Sequence, residues 1–439
     1  METETFVKRS RLEASAHDVF QWHLRPGAFE RLSPPWERVR VVERTGGIEN
    51  GGRLTLKVSV GLLRPGWVAE HYGYVVDREF RDRQVSGPFR KWEHLHRVEE
   101  DGPRASFLED RVEYVTPLGL GRDYVRRRLE RVFEYRHRVT RLDLAAHAGK
   151  PTLTVWIRGA SGFLGAALGA FLSAGGHRIV ALGRGAPLPA PPDGPFAVVH
   201  LAGESIASGR WNPQKKARIR ESRVEGTRAL ALELAKLPRR PDVLVSASAV
   251  GYYGNRAEEL LTESSAVGGG FLAEVCRDWE AASAPAAQAG IRVVPLRFGV
   301  ILSPEGGALA RMLPPFRMGL GGRIGAGTQY MAWISLEDAV GAIHHALFSP
   351  ALQGPANAVA PEPATNRDFT RALGRALGRP TVFPMPAFVA RLAFGEVADE
   401  LLLSSQRALP RALEGSGYRF RQPSLGQALP EMLGRPAPE

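Results

Sequence analysis

The run Thr152–Ile157 (TLTVWI) leads almost directly into Gly159-Ala-Ser-Gly-Phe-Leu-Gly165 (GASGFLG), and Phe163–Ala174 follows with the character of a helix. A continuous apolar run is what a strand buried on both faces of a parallel sheet requires. Each glycine answers a separate need. Gly159 permits a tight turn, Gly162 lets backbone approach a phosphate, and Gly165 lets the helix pack against the strand. The helix start then offers free N–H groups and the positive end of its dipole to an anion. Strand, turn and helix together predict a cradle for a dinucleotide pyrophosphate, built from Gly159, Ser161, Gly162, Phe163, Leu164 and Gly165. The next strand ends at Leu182-Gly183-Arg184. A guanidinium at that place suits a ribose 2′-phosphate and no carboxylate is there to repel it, so NADP is expected, with NAD as the alternative.

The alternation continues down the chain. His177–Leu182, Phe196–Leu201, Asp242–Ser246 and Ile291–Leu302 read as strands; Arg218–Leu237 and Trp279–Ala289 read as helices. This pattern predicts a doubly wound parallel sheet of Rossmann type. The Pro-rich residues 186–195 are too few for a full crossover helix. Before residue 150 the period changes. Arg38–Arg44, Arg53–Val60, Trp67–Val76 and Phe107–Val115 alternate as half-buried antiparallel strands do, with turns at Gly46-Gly47, Gly51-Gly52 and Asp101-Gly102-Pro103. Two helices bracket them: Ala16–Leu32, capped by Ser15 and interrupted at Pro26-Gly27, and Asp123 to about Ala146. A helix laid over a curved sheet leaves an apolar cavity. The expected organisation is an α+β domain over residues 1–148, then an α/β domain over 152–439.

The formal charge of +12 raises the question of nucleic acid. Residues 1–150 hold 28 basic and 23 acidic side chains (+5), and the remainder 30 and 23 (+7). An evenly spread surplus reads as a solvated, mildly basic surface and argues against nucleic-acid binding. The one cysteine, Cys276, excludes an internal disulfide and fits a reducing cytoplasm. METETFVKRSRLEAS has no apolar core for a signal peptide, and the apolar run near 162–176 is too short to span a bilayer.

Several ordered stretches carry a resemblance: GASGFLG (159–165), HLAGESIASGRW (200–211), RIRESRVEGTRAL (218–230), SASAVGYYG (246–254), FLAEVCRDWE (271–280), LRFGVILSPEGGAL (296–309), MLPPFRMGLGG (312–322) and RALPRALEGSGYRF (407–420). With these, residues 152 to about 435 resemble the extended short-chain dehydrogenase/reductases, in particular their atypical epimerase-family branch. FQWHLRPGAFERLSPPW (20–36) is similar to polyketide-cyclase or START-like helix-grip domains. The resemblance implies a helix-grip domain over residues 1–148, a Rossmann-type NAD(P) domain over 152–439 ending in a small substrate lobe from near 303, a small-molecule substrate, and Leu201, Ala202 and Gly203 at the adenine-side strand end. It also implies catalysis by Ser, Tyr and Lys, the last two spaced Tyr-x-x-x-Lys. Ser248 stands at the Ser position. Leu272 and Cys276 fall at the Tyr and Lys positions when Glu280 is aligned with the glutamate that often follows the Lys. None of the nine tyrosines has a lysine four residues on, and the last lysine is Lys236. Tyr252 and Tyr253, just after Ser248, are the candidate replacements as proton donors. Two functions of different class follow: an NADP-binding epimerase or oxidoreductase-like enzyme, and a non-catalytic NADP-dependent sensor or scaffold. A third is a carrier of an apolar ligand through the N-terminal domain.

Other residues have bland and functional readings side by side. Lys216, Arg220 and Arg223 share a helix face and suit either phosphates or solvent. Glu204 suits a helix cap or a ribose. The 268–270 and 319–327 glycine loops are expected to cover the substrate, and Ser335 to cap a helix. His344 and His345 are adjacent and face different ways, so no metal site is expected. SASAV lacks the Gly-x-Ser-x-Gly elbow of a serine triad. Trp22, His23, Trp36, Trp67 and Trp92 are core, or line a cavity for an apolar molecule.

Overall fold

A computed structural model describes residues 2–37, 39–58, 65–116 and 121–435. Arg38, Ser59 and Val60, at the ends of two expected strands, lie outside them. The chain forms two compact units: Met1–Pro151 with Ala170–His177, and Thr152–Gly169 with Arg178–Glu439.

The first unit is a seven-stranded antiparallel sheet with helices. In chain order it contains β1 (Glu4–Leu12), α1 (Ala16–Leu24), α2 (Ala28–Leu32), β2 (Val39–Thr45), β3 (Arg53–Val58), β4 (Gly66–Val75), β5 (Glu79–Ser86), β6 (Lys91–Glu100), β7 (Ser106–Val115) and the 26-residue α3 (Arg122–His147). The sheet order is β1-β7-β6-β5-β4-β3-β2. Ser15 caps α1 by accepting from the Asp18 amide. The helix expected over Ala16–Leu32 breaks after Leu24, and Gly27, at φ +91°, restarts it as α2. Two clusters form the core: Leu12, Val19, Phe20, Phe80, Val98 and Leu108, and then Phe6, Val112, Tyr114, Leu129 and Phe133. Strands β1, β5 and β6 were not anticipated. Their outward positions carry charges, and β5 (EFRDRQVS) buries only Phe80 fully.

The second unit is of Rossmann type. β8 (Thr154–Arg158), α4 (Phe163–Ala174, whose residues up to Gly169 belong to this unit), β9 (Arg178–Leu182), β10 (Phe196–His200), α5 (Pro213–Ala235), β11 (Val243–Ala249) and α6 (Phe271–Ala281) are followed by strands Arg292–Phe298 and Ala356–Ala358. All six strands are parallel, in the order β9, β8, β10, β11, Arg292–Phe298, Ala356–Ala358. Residues 186–195 form no helix. α5 begins five residues earlier than expected, because Asn212 accepts from the Lys215 amide and Pro213 opens the first turn. The strand expected over Ile291–Leu302 is split at Gly299, where a side chain would meet the Ala332 carbonyl oxygen at 2.7 Å. Beyond it, Val300–Ser303 leaves the main sheet and pairs with Trp333–Ser335. The helix expected over Trp279–Ala289 is likewise two pieces, α6 and Ala284–Gln288, the second with Pro285 in its first turn. A separate core of Leu302, Leu309, Leu313, Phe316, Trp333, Phe369, Leu373, Leu425 and Leu429 supports the C-terminal part. Ser335 caps the helix Leu336–Phe348 through the Asp338 amide. No described helix is long and apolar enough to cross a membrane.

Candidate functional site

From β8 the chain goes to β9 on one side of the sheet and returns to β10 on the other. The crevice beyond the C-terminal ends of β8 and β10 is therefore the switch point at which open α/β sheets bind ligands. The glycine turn occupies one lip and Leu201-Ala202-Gly203 the other. Their backbones nearly touch: Gly159 has φ +95°, and a Cβ there would lie 2.8 Å from the Ala202 nitrogen. A Cβ on Gly165 would lie 2.1 Å from the Gly159 carbonyl oxygen. The Gly162 amide donates to that same oxygen at 3.0 Å and closes the turn. Ser161 and Gly162 are exposed, and Phe163 and Leu164 are half-buried at the first turn of α4. Amides of a first helical turn have no partner within the helix. Arg184 is exposed two residues beyond β9, close enough for its charge to help hold Glu204 below the usual carboxylate range. Glycine-only approach, unused helix-start amides and a nearby guanidinium fit a dinucleotide pyrophosphate and a 2′-phosphate.

The loop after β10 is fastened to α5. Lys215, almost fully buried, donates to Glu204 Oε1 at 2.6 Å and Ser208 Oγ at 2.8 Å, and its bond to Glu204 is the main cause of that depressed carboxyl pKa. Glu204 thus anchors its loop. The basic face of α5, which suited either phosphates or solvent, is engaged within the protein. Lys216 donates to Glu396, Arg220 pairs with Asp278 and Glu274, and Arg223 donates to the Glu204 carbonyl at 2.9 Å. His200, the last residue of β10, is buried and neutral, since burial and then Arg158 push its pKa down to about 4.

Beyond β11 lies a network the sequence did not disclose. Ser248 donates to Glu280 Oε1 at 2.7 Å. Arg297 meets both oxygens of the same carboxylate, each at 2.8 Å. It also donates to the Tyr253 hydroxyl at 2.9 Å, and that hydroxyl lies 2.7 Å from Asn357 Oδ1 and 3.0 Å from the Thr262 carbonyl. Burial opposes the Arg297 charge, yet Glu280 and Tyr253 hold its pKa above the ordinary value. Tyr253 is completely buried, and desolvation raises its pKa despite Arg297 and Asn357. The Tyr253 phenol, offered by the sequence as a proton donor, is thus enclosed by Arg297, Asn357 and the Thr262 carbonyl. Tyr252 lies beneath the guanidinium, 3.6 Å from ring centroid to Arg297 Cζ. Ser248 is buried too, with its hydroxyl committed to Glu280.

Leu272 and Cys276 lie on the buried side of α6 against Gly251, whose Cβ would stand 3.3 Å from Leu272 Cβ and 3.8 Å from Cys276 Sγ. Burial pushes the Cys276 thiol up to about 12. Beside them opens a pocket of about 290 Å³, lined among others by Gly251, Asn255, Leu272, Glu400, Ser404 and Gln406. Glu400 lies in the π-helical turn Ala398–Leu402, an irregularity frequent at functional sites. Its carboxylate accepts from the Leu272 amide at 3.4 Å and stands so close to Gly270, at φ +103°, that a Cβ there would be 2.7 Å away. Burial raises the Glu400 pKa, against the pull of the α6 amides. The glycine loops expected to act as covers are tightly packed. A Cβ on Gly268 would lie 1.9 Å from the Tyr253 carbonyl oxygen, and one on Gly322 1.9 Å from that of Phe383. Glu280, Arg297 and Glu400 escaped the sequence reading. Only Glu280 left a signal there, as an alignment landmark.

Known proteins agree with this architecture. Residues 155–359 match the family described as "NAD dependent epimerase/dehydratase family", residues 12–170 "Polyketide cyclase / dehydrase and lipid transport", and residues 385–432 a "Domain of unknown function". Epimerase family protein Mb2239 of Mycobacterium bovis is 46% identical over 297 residues, which cover 64% of this chain and 98% of that protein. The crystal structure of the nucleoside-diphosphate sugar epimerase from Corynebacterium glutamicum is 33% identical with a TM-score of 0.79, covering 98% of this chain and 90% of that one. Human epimerase family protein SDR39U1, solved with NADPH, is 36% identical with a TM-score of 0.60, covering 64% of this chain and 99% of its own. A Rossmann sheet with a glycine turn at its switch point, and relatives matched over nearly their whole length, make this chain a member of the epimerase family, carrying an N-terminal polyketide-cyclase-like domain.

Proposed function

We propose that the chain is an NADP(H)-binding oxidoreductase or epimerase-like enzyme whose small polar substrate enters the pocket beside Glu400. The observation that carries this reading is the turn at the switch point, with Gly159 and Gly165 closing on neighbouring backbone while Ser161 and Gly162 stay open. The human relative solved with NADPH supports the choice of nucleotide. The amides of Phe163 and Leu164 hold the pyrophosphate, Leu201, Ala202 and Gly203 form the opposite lip, and Arg184 meets the 2′-phosphate. Bound nicotinamide supplies or accepts hydride. On this chain, Glu400, whose pKa burial raises above its usual value, is the group that passes the proton Tyr would carry in relatives with Tyr-x-x-x-Lys. Asn255, Ser404 and Gln406 offer hydrogen bonds to substrate hydroxyls.

Fluorescence titration with NADPH and NADH tests the nucleotide site. Saturable binding with preference for NADPH is expected, and Arg184→Ser should weaken NADPH about 5-fold while leaving NADH unchanged. Saturation by neither nucleotide would overturn the reading. Glu400→Gln should lower turnover of any carbonyl substrate by about 100-fold or more at unchanged NADPH affinity. Unaltered turnover would remove Glu400 from the chemistry.

A second reading is a dinucleotide-binding protein without turnover. Leu272 and Cys276 favour it, since both are buried and neither can transfer a proton near neutral pH. A nucleotide that raises the melting temperature but never changes redox state with any carbonyl substrate would decide for it.

A further inference from the structure

The sheet of the first unit carries a buried stripe of imidazoles and carboxylates that plays no part in the nucleotide site. His94 and His96 alternate on one face of β6. Asp82 of β5 stands directly opposite His94, and Asp110 of β7 directly opposite His96. His137 of α3 reaches the same place: its Nε2 is 2.7 Å from Asp110 Oδ2. His71 of β4 is the cross-strand partner of Asp82, and its Nδ1 is buried without a hydrogen-bond partner.

His94 lies between two carboxylates, with Nε2 2.9 Å from Asp110 Oδ1 and Nδ1 3.1 Å from Asp82 Oδ2. A neutral ring donates to one of them and turns a lone pair towards the other. His96 does much the same. Its Nδ1 is 2.7 Å from Asp110 Oδ1, in close contact although not aligned as a hydrogen bond, and its Nε2 is 3.6 Å from Asp82 Oδ2. One nitrogen of each ring and one carboxylate oxygen of Asp82 lie within 4.8 Å of one another. A nitrogen lone pair facing a carboxylate oxygen in a dry interior is repulsive, and a cation between them relieves it; the buried Arg136 guanidinium acts on Asp110 and Asp82 from nearby. A divalent ion held between Asp82, His94 and His96 would supply that cation and leave both rings neutral. Ligands about 2.0–2.1 Å from a tetrahedral zinc are separated by roughly 3.3 Å. The observed 3.1 and 3.6 Å bracket that spacing. Asp110 stands where ligating histidines usually find a carboxylate for their second nitrogen.

We propose that Asp82 Oδ2, His94 Nδ1 and His96 Nε2 form a three-ligand site for a divalent first-row transition-metal ion, with Asp110 positioning both rings and His137 holding Asp110. Two imidazoles and one carboxylate suit zinc or ferrous iron, and three protein ligands leave a coordination position for water or a ligand. Sequence spacing gives no metal site because these ligands come from two neighbouring strands.

The test uses the full chain, freed of metal with a chelator and titrated calorimetrically with Zn2+, and in a parallel anaerobic series with Fe2+. Co2+ serves as the optical probe of geometry. One ion per chain is expected, with a Co2+ spectrum of low coordination number. Asp82→Asn preserves shape and should weaken Zn2+ by about 100-fold or more, and Asp110→Asn by about 10- to 100-fold. Zn2+ should raise the melting temperature of the parent chain and not that of Asp82→Asn. His96→Gln should behave as Asp82→Asn does; if it fails to fold, Asp82→Asn decides. No stoichiometric binding of either ion, or binding unchanged in a folded Asp82→Asn, overturns the proposal.

Discussion

Gly165→Ala is expected to weaken NADPH binding by about 10- to 100-fold. The new methyl would lie 2.1 Å from the Gly159 carbonyl oxygen and 2.9 Å from the Ala160 Cα. These are backbone atoms, so no rotamer change relieves the clash, and α4 has to move away from the turn. Overpacking of this kind costs about 1–3 kcal/mol. The displaced amides of Phe163 and Leu164 then no longer meet the pyrophosphate together. Gly169, in the same helix, is the control, because a Cβ there meets nothing within 4 Å. Gly169→Ala should leave binding unchanged and stabilise the helix by about 0.5–1 kcal/mol. Titration of both variants, with thermal unfolding of each, separates a damaged cradle from a general loss of stability. Equal affinities would show that the turn does not hold the nucleotide.

Arg297→Met is expected to destabilise the second unit by about 3–5 kcal/mol. The guanidinium is almost fully buried, gives two bonds to Glu280 and one to Tyr253, and covers the Tyr252 ring. Its removal leaves the Glu280 carboxylate with Ser248 as its remaining partner in this network. Deleting one member of a buried pair costs far more than the pair is worth, because the other charge stays desolvated. The double variant Arg297→Met with Glu280→Leu should therefore recover part of the loss. Urea unfolding of the parent, both single variants and the double variant provides the cycle. A loss below about 1 kcal/mol in Arg297→Met would mean that water replaces the guanidinium and that the network is not structural.

What the sequence disclosed, and what it withheld, follows from the range of the interactions. The glycine turn is legible because its requirements are local: three glycines, one preceding strand and one following helix. β8, β10 and β11 are legible as buried strands from their apolar runs. Strands β5 and β6 were harder, because RDRQ and KWEH place charges on the open face and spread the apolar signal thinly. Residues 291–302 look like one strand because the break at Gly299 comes from Ala332, thirty-three positions away. The network around Arg297 joins residues 248, 253, 280 and 357, so no window of sequence contains it. The same holds for the imidazole stripe, where His94-x-His96 is the sole local trace and the carboxylates arrive from neighbouring strands. Lys216, Arg220 and Arg223 show the opposite failing. Their shared helix face is real, but acids and a carbonyl from elsewhere in the fold occupy it.

Hydrogen–deuterium exchange of the full chain, with and without saturating NADPH, is the most direct test of the nucleotide cradle. The account predicts slower exchange in peptides covering residues 159–166 and 201–204, with no comparable change in the strands β4 to β6. Protection absent from the first of these segments while NADPH is demonstrably bound would place the nucleotide elsewhere and contradict it.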